Sequence, residues 1–234
     1  MNILFLDTEA TGNDTKTDRL CQVCYKYNKQ FFTEYFKPPV PISIKAMSIT
    51  HITNEMVADK PAFIGSPYAQ DLEKKLSDAV LVAHNAPFDV GMLKAEGMEV
   101  PRYICTLKLS RFLDDKGVIP EYNQQFLRYY LGLSFDVPIV PHDAESDVIV
   151  LEGIYDRLAA ECQKRFGDEY IEKMIEISTN PLMMKRFTFG KYNGELIEDI
   201  AKKDKGYLEW LLKAKRENPD GEEDWIFTLE SYLS

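Results

Sequence analysis

Long apolar runs are missing from this chain, cysteine is scarce, and bases are outnumbered by acids. No apolar segment approaches the ~20 residues that cross a bilayer, and the opening run at residues 3–6 is too short for a secretory leader and lacks a basic start. Membrane association is therefore not expected, and a cytoplasmic location is. The four cysteines, Cys21, Cys24, Cys105 and Cys162, are too few and too scattered for a disulfide framework. Cys21 and Cys24 have no second pair or nearby histidines to complete a zinc site, and on a strand positions three apart face opposite ways. Buried, reduced thiols are the expectation. With 28 Lys and Arg against 38 Asp and Glu, a net charge of -10 and a pI near 4.9, a broadly basic surface that coats phosphates is excluded. Any phosphate-bearing substrate must be gripped locally. No internal repeat or low-complexity tract points to a solenoid or a disordered chain.

What is present is an ordinary globular composition, 45% hydrophobic and 12% aromatic over 234 residues, enough for one large domain or a medium one with an appendage. The chain opens on Ile3, Leu4, Phe5 and Leu6, the unalternating pattern of a strand covered on both faces. Asp7 and Glu9 come next, and being two apart they share a strand face. Two carboxylates so close repel unless a cation lies between them, and hard divalent ions such as Mg²⁺ or Mn²⁺ prefer oxygen ligands. A plain strand end and turn finished by Gly12 explains the same residues, so the pair needs partners.

Residues 20–27 and 30–36, broken at Asn28-Lys29, read as a hairpin, ended by Pro38, Pro39 and Pro41. Residues 43–61 read as a short helix and loop around His51, and 68–77 as a helix. Ala79-Val-Leu-Val-Ala83 is a second buried strand, followed by His84-Asn85-Ala-Pro87-Phe88-Asp89, in which Pro87 suits a first helical turn and puts Asp89 near the strand's carboxyl end. If the two strands are parallel neighbours, Asp89 lies on the edge that holds Asp7 and Glu9; complementing the helix dipole is its bland role. Helices are expected over 106–113 and 121–131, the latter stopped by Gly132. Pro141-His142-Asp143-Ala-Glu-Ser-Asp147 then enters a helix with apolar positions Val148, Leu151, Ile154, Tyr155 and Leu158. On one helix, positions 142 and 147 would be about 140° apart, so both reach one site only if His142 lies in the preceding loop.

Four acids and a histidine, each at a strand end or helix start, resemble the three motifs of the DEDDh (DnaQ-like) 3′-to-5′ exonucleases: Asp7-Thr8-Glu9, the segment ending at Asp89, and His142-x-Ala-x-x-Asp147. The resemblance implies an α/β, ribonuclease H-like exonuclease fold, a mixed central sheet flanked by helices, over residues 1–166. Pro41 to Met47, Glu55 to Pro61, and Phe187-Thr-Phe-Gly-Lys-Tyr192 through Trp210 are similar to the exodeoxyribonuclease X group. This implies a small α+β carboxyl-terminal domain over 185–234, with 167–184 as a linker. It further implies two Mg²⁺ ions, for which Mn²⁺ can substitute, held by Asp7, Glu9, Asp89 and Asp147, with His142 as general base. Thr8, Ala10, Thr11, Asn85 and Phe88 would contact the terminal nucleotides, and His51 its pocket. Two departures stand out: Asp143 occupies a position where a base is frequent, and Ala10 one where Thr is common.

The implied activity is metal-dependent release of nucleoside 5′-monophosphates from single-stranded or duplex DNA 3′ ends, in repair or end trimming. An exoribonuclease and a nuclease-shaped binding module without catalysis are the competing readings. Between Lys185 and Arg216 nine basic residues face five acids, interleaved with Phe187, Phe189, Tyr192, Tyr207 and Trp210. That mixture suits base stacking and phosphate contact, or equally a small domain with an aromatic core and a solvated charged face. Substrate grip, a structural brace and a protein partner are the three expectations for this segment.

Overall fold

The computed structural model describes residues 1–140 and 143–234. Its frame is a five-stranded sheet in the order β3-β2-β1-β4-β5, formed by β1 (Asn2–Ala10), β2 (Leu20–Tyr27), β3 (Gln30–Tyr35), β4 (Ala79–Ala83) and β5 (Tyr103–Cys105). β1 pairs antiparallel with β2 and parallel with β4, so the sheet is mixed. The hairpin turn at Asn28 and Lys29 has φ of 49° and 67°, the left-handed pair whose twist matches that of flanking strands.

Helices cover both faces. On one side α2 (Pro67–Leu76) and α3 (Ala86–Ala95) pack over Leu4, Leu6, Leu81 and Ala83. On the other α4 (Thr106–Leu113), α5 (Gln124–Tyr130), α6 (Ala144–Phe166) and α7 (Tyr170–Thr179) pack over Phe5, Val80, Val82 and Ile104. The alternation along β1 is thus strict, even positions toward α3 and odd positions toward α6. A short α1 (Ile44–Thr50), capped by Ser43 and closed by His51 in the left-handed region (φ 59°), seals a small cluster with Cys21, Ile42 and Val57. All four cysteines are buried and unbridged, and burial pushes the thiols of Cys21 and Cys24 up to about 12, in line with their sparse and scattered usage.

Residues 167–184 are not a free linker. Ile171, Met174, Ile175 and Ser178 adopt i, i+3, i+4, i+7 spacing, so α7 lays an apolar stripe into the nuclease core. The Ser178 hydroxyl accepts from the Cys105 amide at 2.8 Å. Only the stretch after Thr179 acts as a connector, leading into the carboxyl-terminal helices.

The carboxyl-terminal unit consists of α8 (Ile197–Lys203), α9 (Lys205–Glu217) and α10 (Glu223–Leu233). The β component anticipated there is reduced, among the described residues, to a single bridge between Arg186 and Leu196. The turn at Gly194 and the helix starting at Ile197 leave no length for a strand. Its core is Met184, Phe187, Tyr192, Ile197, Ile200, Leu208, Leu211, Trp225 and Leu229, shared with neither sheet face. Two aromatics of the basic segment are interior, Phe187 at 1% and Tyr192 at 6% exposed, Phe189 and Tyr207 pack against the same core, and Trp210 is exposed. Many of its bases are tied to acids, Lys191 to Asp204, Lys202 to Glu198, Lys215 to Glu222 and Arg216 to Glu230.

Polar pins dock this unit on α4. Lys108 Nζ lies 3.0 Å from Asp224 Oδ1, and the same carboxylate oxygen accepts from the Leu182 amide at 2.8 Å. Lys185 and Arg186 donate to the backbone carbonyls of Asp114 and Gly117. Among the described residues no helix is long and apolar enough to cross a membrane.

Candidate active site

β1 outruns its parallel neighbour. The β1–β4 register extends from Asn2 opposite Ala79 to Phe5 opposite Val82, whereas β1 stays paired with β2 through Ala10. Beyond Phe5 one edge of β1 is open, and the chain leaving β4 turns there through His84 and Asn85 into α3. Asp7 and Glu9 sit on this overhang. Both are odd positions, so both face α6, as their spacing predicts.

Asp147 comes from the first turn of α6. Asp143, the unexpected residue in the third motif, caps that helix: its side chain accepts from the Ser146 amide at 3.0 Å, which orients the turn that presents Asp147. One carboxylate oxygen each from Asp7, Glu9 and Asp147 lie within 4.8 Å of one another. This oxygen-only trio suits a hard divalent cation.

Asp89 approaches from the α3 side, buried in the first turn of α3. Thr8, an even position of β1, donates its hydroxyl to Asp89 Oδ1 at 2.7 Å. One strand thus serves both sides of the site.

Electrostatics mark the cluster as frustrated without a counter-charge. Burial pushes Asp7 well above the ordinary carboxylate range, and the charges of Asp89, Glu9 and Asp147 push it further. Burial raises Glu9 to about 8, reinforced by Asp147 and Asp89. Burial raises Asp89 to about 7 against the opposing Thr8 hydrogen bond. Carboxylates held this close take up protons at neutral pH unless a cation replaces them.

The remaining residues divide. Asn85 is exposed in the left-handed region (φ 63°) at the amino end of α3, and Phe88 packs partly against the core. Ala10 is buried, and Thr11 is wholly buried. The Thr11 hydroxyl donates to Asp18 at 2.7 Å and accepts from the Arg19 amide, so it ties the loop and is not free for a nucleotide. Gly12 is required beside it, because a Cβ there would stand 2.4 Å from Asp18 Oδ2. His51 closes α1 as an exposed residue. His142 lies outside the described residues.

Two contributors were assigned no role from the sequence, although His84 opens the second motif. Gln125, on α5, donates to Asp147 Oδ1 at 3.3 Å. His84 is pinned behind Asn85, with Nδ1 2.9 Å from Thr106 Oγ1 and Nε2 2.8 Å from the Tyr122 carbonyl. A carbonyl only accepts, so Nε2 carries the proton. Burial lowers this imidazole to about 4, keeping it neutral.

Comparisons with known proteins place the chain among exonucleases. Residues 4–155 match the family described as "Exonuclease", and residues 187–216 that described as "Exodeoxyribonuclease X-like C-terminal". Exodeoxyribonuclease 10 of Escherichia coli (strain K12) is 35% identical over 180 residues, covering 75% of this chain and 74% of that protein. A PolC-type DNA polymerase III of Bacillus subtilis (strain 168) is 30% identical over 186 residues, 72% of this chain and 12% of its own. The solved structure of exonuclease X in complex with 5′ overhanging duplex DNA superposes with a TM-score of 0.59 at 26% identity, covering 75% of this chain and 99% of that one. With the motif acids assembled on a ribonuclease H-like sheet and both segments matched, the chain belongs to the exonuclease family, carrying the exodeoxyribonuclease X-like carboxyl-terminal segment.

Proposed function

We propose that this protein is a divalent-cation-dependent 3′-to-5′ exodeoxyribonuclease that releases nucleoside 5′-monophosphates, acting in repair or end trimming. The carrying observation is the convergence of Asp7, Glu9 and Asp147 oxygens within 4.8 Å, with Asp89 tied to the same strand through Thr8. The trio and Asp89 fit the two Mg²⁺ ions that the family resemblance implies: all donors are oxygens, and their raised proton affinities are what a dication would relieve. Asp7, Glu9 and Asp147 would hold one ion, with Asp7 and Asp89 holding the other. Bound cations supply an acidified water and neutralise charge on the leaving oxygen.

The chain's own side chains do the rest. Thr8 orients Asp89, Gln125 steadies Asp147, and the Asp143 cap fixes the turn that carries it. His142, just before that cap, takes the proton of the attacking water. Asn85 and Phe88 border the terminal nucleotide. A mere binding module has no use for a like-charge cluster that costs stability when empty. We further take residues 1–179 as the nuclease unit and 184–234 as a substrate-gripping one, supported by cores that share no residue.

The test is time-resolved digestion of matched single-stranded DNA, duplex DNA and RNA, each labelled at its 5′ end, with Mg²⁺ and with chelator. Stepwise shortening of DNA from the 3′ end, abolished by chelator, is expected. Faster digestion of RNA would overturn the sugar assignment, and no digestion of any would overturn the activity. His142→Ala should lower turnover by about 10² to 10⁴, with the defect persisting at saturating Mg²⁺.

A further inference from the structure

A cleft of about 1160 Å³ opens between the nuclease unit and the carboxyl-terminal helices. His84 and Asn85 line it, and Asn85 is one helical turn, about 6 Å along the axis, from Asp89. The lining thus reaches the amino end of α3, whose first turn carries Asp89. It also includes Lys185, Arg186, Phe189 and Trp225.

The lining has a specific chemistry. Arg111, from α4, lies with its guanidinium 5.7 Å above the Tyr122 ring. Its Nε is buried and has no hydrogen-bond partner, and among the described residues no carboxylate makes an ion pair with it. A half-buried guanidinium whose Nε donor is buried and idle is a poor structural ending, since burial disfavours its charge. Across the cleft Lys185 and Arg186 spend donors on the carbonyls of Asp114, Gly117 and Gly194. Those bonds fix the side chains without neutralising them. The acids of the lining are mostly answered: Glu222 pairs with Lys215 at 2.6 Å and Asp224 with Lys108 at 3.0 Å. The lining thus carries four bases, Arg111, Lys185, Arg186 and Lys215, against three acids, Glu121, Glu222 and Asp224, a net of +1 beside the rings of Tyr122 and Phe189.

We propose that this cleft is the track for the single-stranded DNA lying 5′ to the scissile phosphate, with Arg111 contacting its backbone. The inference rests on the nuclease function proposed for the acid cluster. Its size exceeds the roughly 300–1,000 Å³ of small-molecule pockets, which speaks for a run of nucleotides and not one mononucleotide. A lining that holds both cations and aromatic rings suits phosphates and unpaired bases together, whereas a duplex keeps its base faces stacked on each other. The exposed aromatics elsewhere on this unit, Trp210 and Phe227, are not part of the track.

The experiment uses the full-length protein with Mg²⁺ on oligothymidylates of two and ten residues, compared as the ratio of kcat/KM for the longer over the shorter. Arg111→Gln should lower that ratio about tenfold, the usual worth of a charge-assisted hydrogen bond. It should also flatten the log-log salt dependence of KM by about 0.7. Arg111→Lys should recover part of both. Val118→Trp narrows the cleft from a position that is 58% exposed, so it tests the track even if Arg111→Gln fails to fold. It too should lower the ratio. An unchanged ratio in Val118→Trp, or equal losses on both substrates in either variant, would overturn the track while leaving the nuclease intact. Inability of the wild type to cut either oligonucleotide would instead overturn the underlying activity.

Discussion

Single side chains decide how this protein tolerates charge. Asp7→Asn and Asp89→Asn each remove a carboxylate from a site whose acids are all pushed upward, so activity should fall by about 10³ or more. The cation-free protein should meanwhile melt higher, because a carboxyl with a raised folded-state pKa loses stability as pH climbs from its unfolded value toward the folded one. Wild-type turnover in either variant would sink the site assignment. His84 works in the opposite sense. Its folded value is lowered to about 4 from 6.5, so its contribution is complete above pH 6.5 and drains away as pH falls. Between pH 7.5 and 5 the loss is roughly 2 kcal/mol, and His84→Gln should remove that part of the acid-induced drop in Tm; an identical drop in both would refute it. The acids and their spacing are readable in the sequence because each sits beside an unmistakable apolar run. The roles of His84, Gln125 and the cap at Asp143 are not. Their value comes from partners more than twenty residues away or from the start of a helix whose boundary the sequence leaves uncertain.

At the scale of elements, β1, the hairpin, β4 and α6 are legible, since buried strands and a long amphipathic helix repeat their signal over many residues. The parallel pairing of β1 with β4 is the natural arrangement once both are recognised. α7 lies in the stretch expected to be a linker, and its docking on β5 cannot be read, because its stripe of Ile171, Met174 and Ile175 declares an apolar face without naming what covers it. The carboxyl-terminal unit misleads in composition: a segment mixing bases with aromatics looks like a stacking surface, but Phe187 and Tyr192 fill the unit's core and Phe189 and Tyr207 pack against it, which leaves Trp210 exposed. What holds that unit in place is concentrated in few contacts. Asp224, 16% exposed, accepts from both Lys108 and Leu182. Asp224→Ala leaves an uncompensated, mostly buried lysine and should destabilise the docked arrangement by roughly 3 kcal/mol. Limited proteolysis after Thr179 should accelerate accordingly, and unchanged cleavage would show that the pin is idle.

The sheet's cores and the carboxyl-terminal core share no residue and are joined by polar pins. No buried member of the sheet cores lies beyond Met174, and none of the third core lies before Met184. Truncation after about residue 180 should therefore leave a folded nuclease that still cuts a dinucleotide but binds long DNA more weakly, with a shallower salt dependence. Measuring Tm and DNA affinity on the same truncated protein separates grip from brace: unchanged affinity would end the first, and loss of folding would favour the second.

The strict alternation of β1 has a consequence for how the family can vary. Odd residues deliver the acids toward α6 while even Thr8 reaches Asp89 on the other side, so inserting or deleting one residue before Asp7 would exchange the two sets. The acids would point at α3 and the threonine at α6, with every backbone hydrogen bond still available. Such a protein could fold and be inert. Length changes here are admissible only in pairs, and the irregularity between Glu9 and Ala10 falls just past the last acid, where an odd residue can be absorbed without inverting anything that matters.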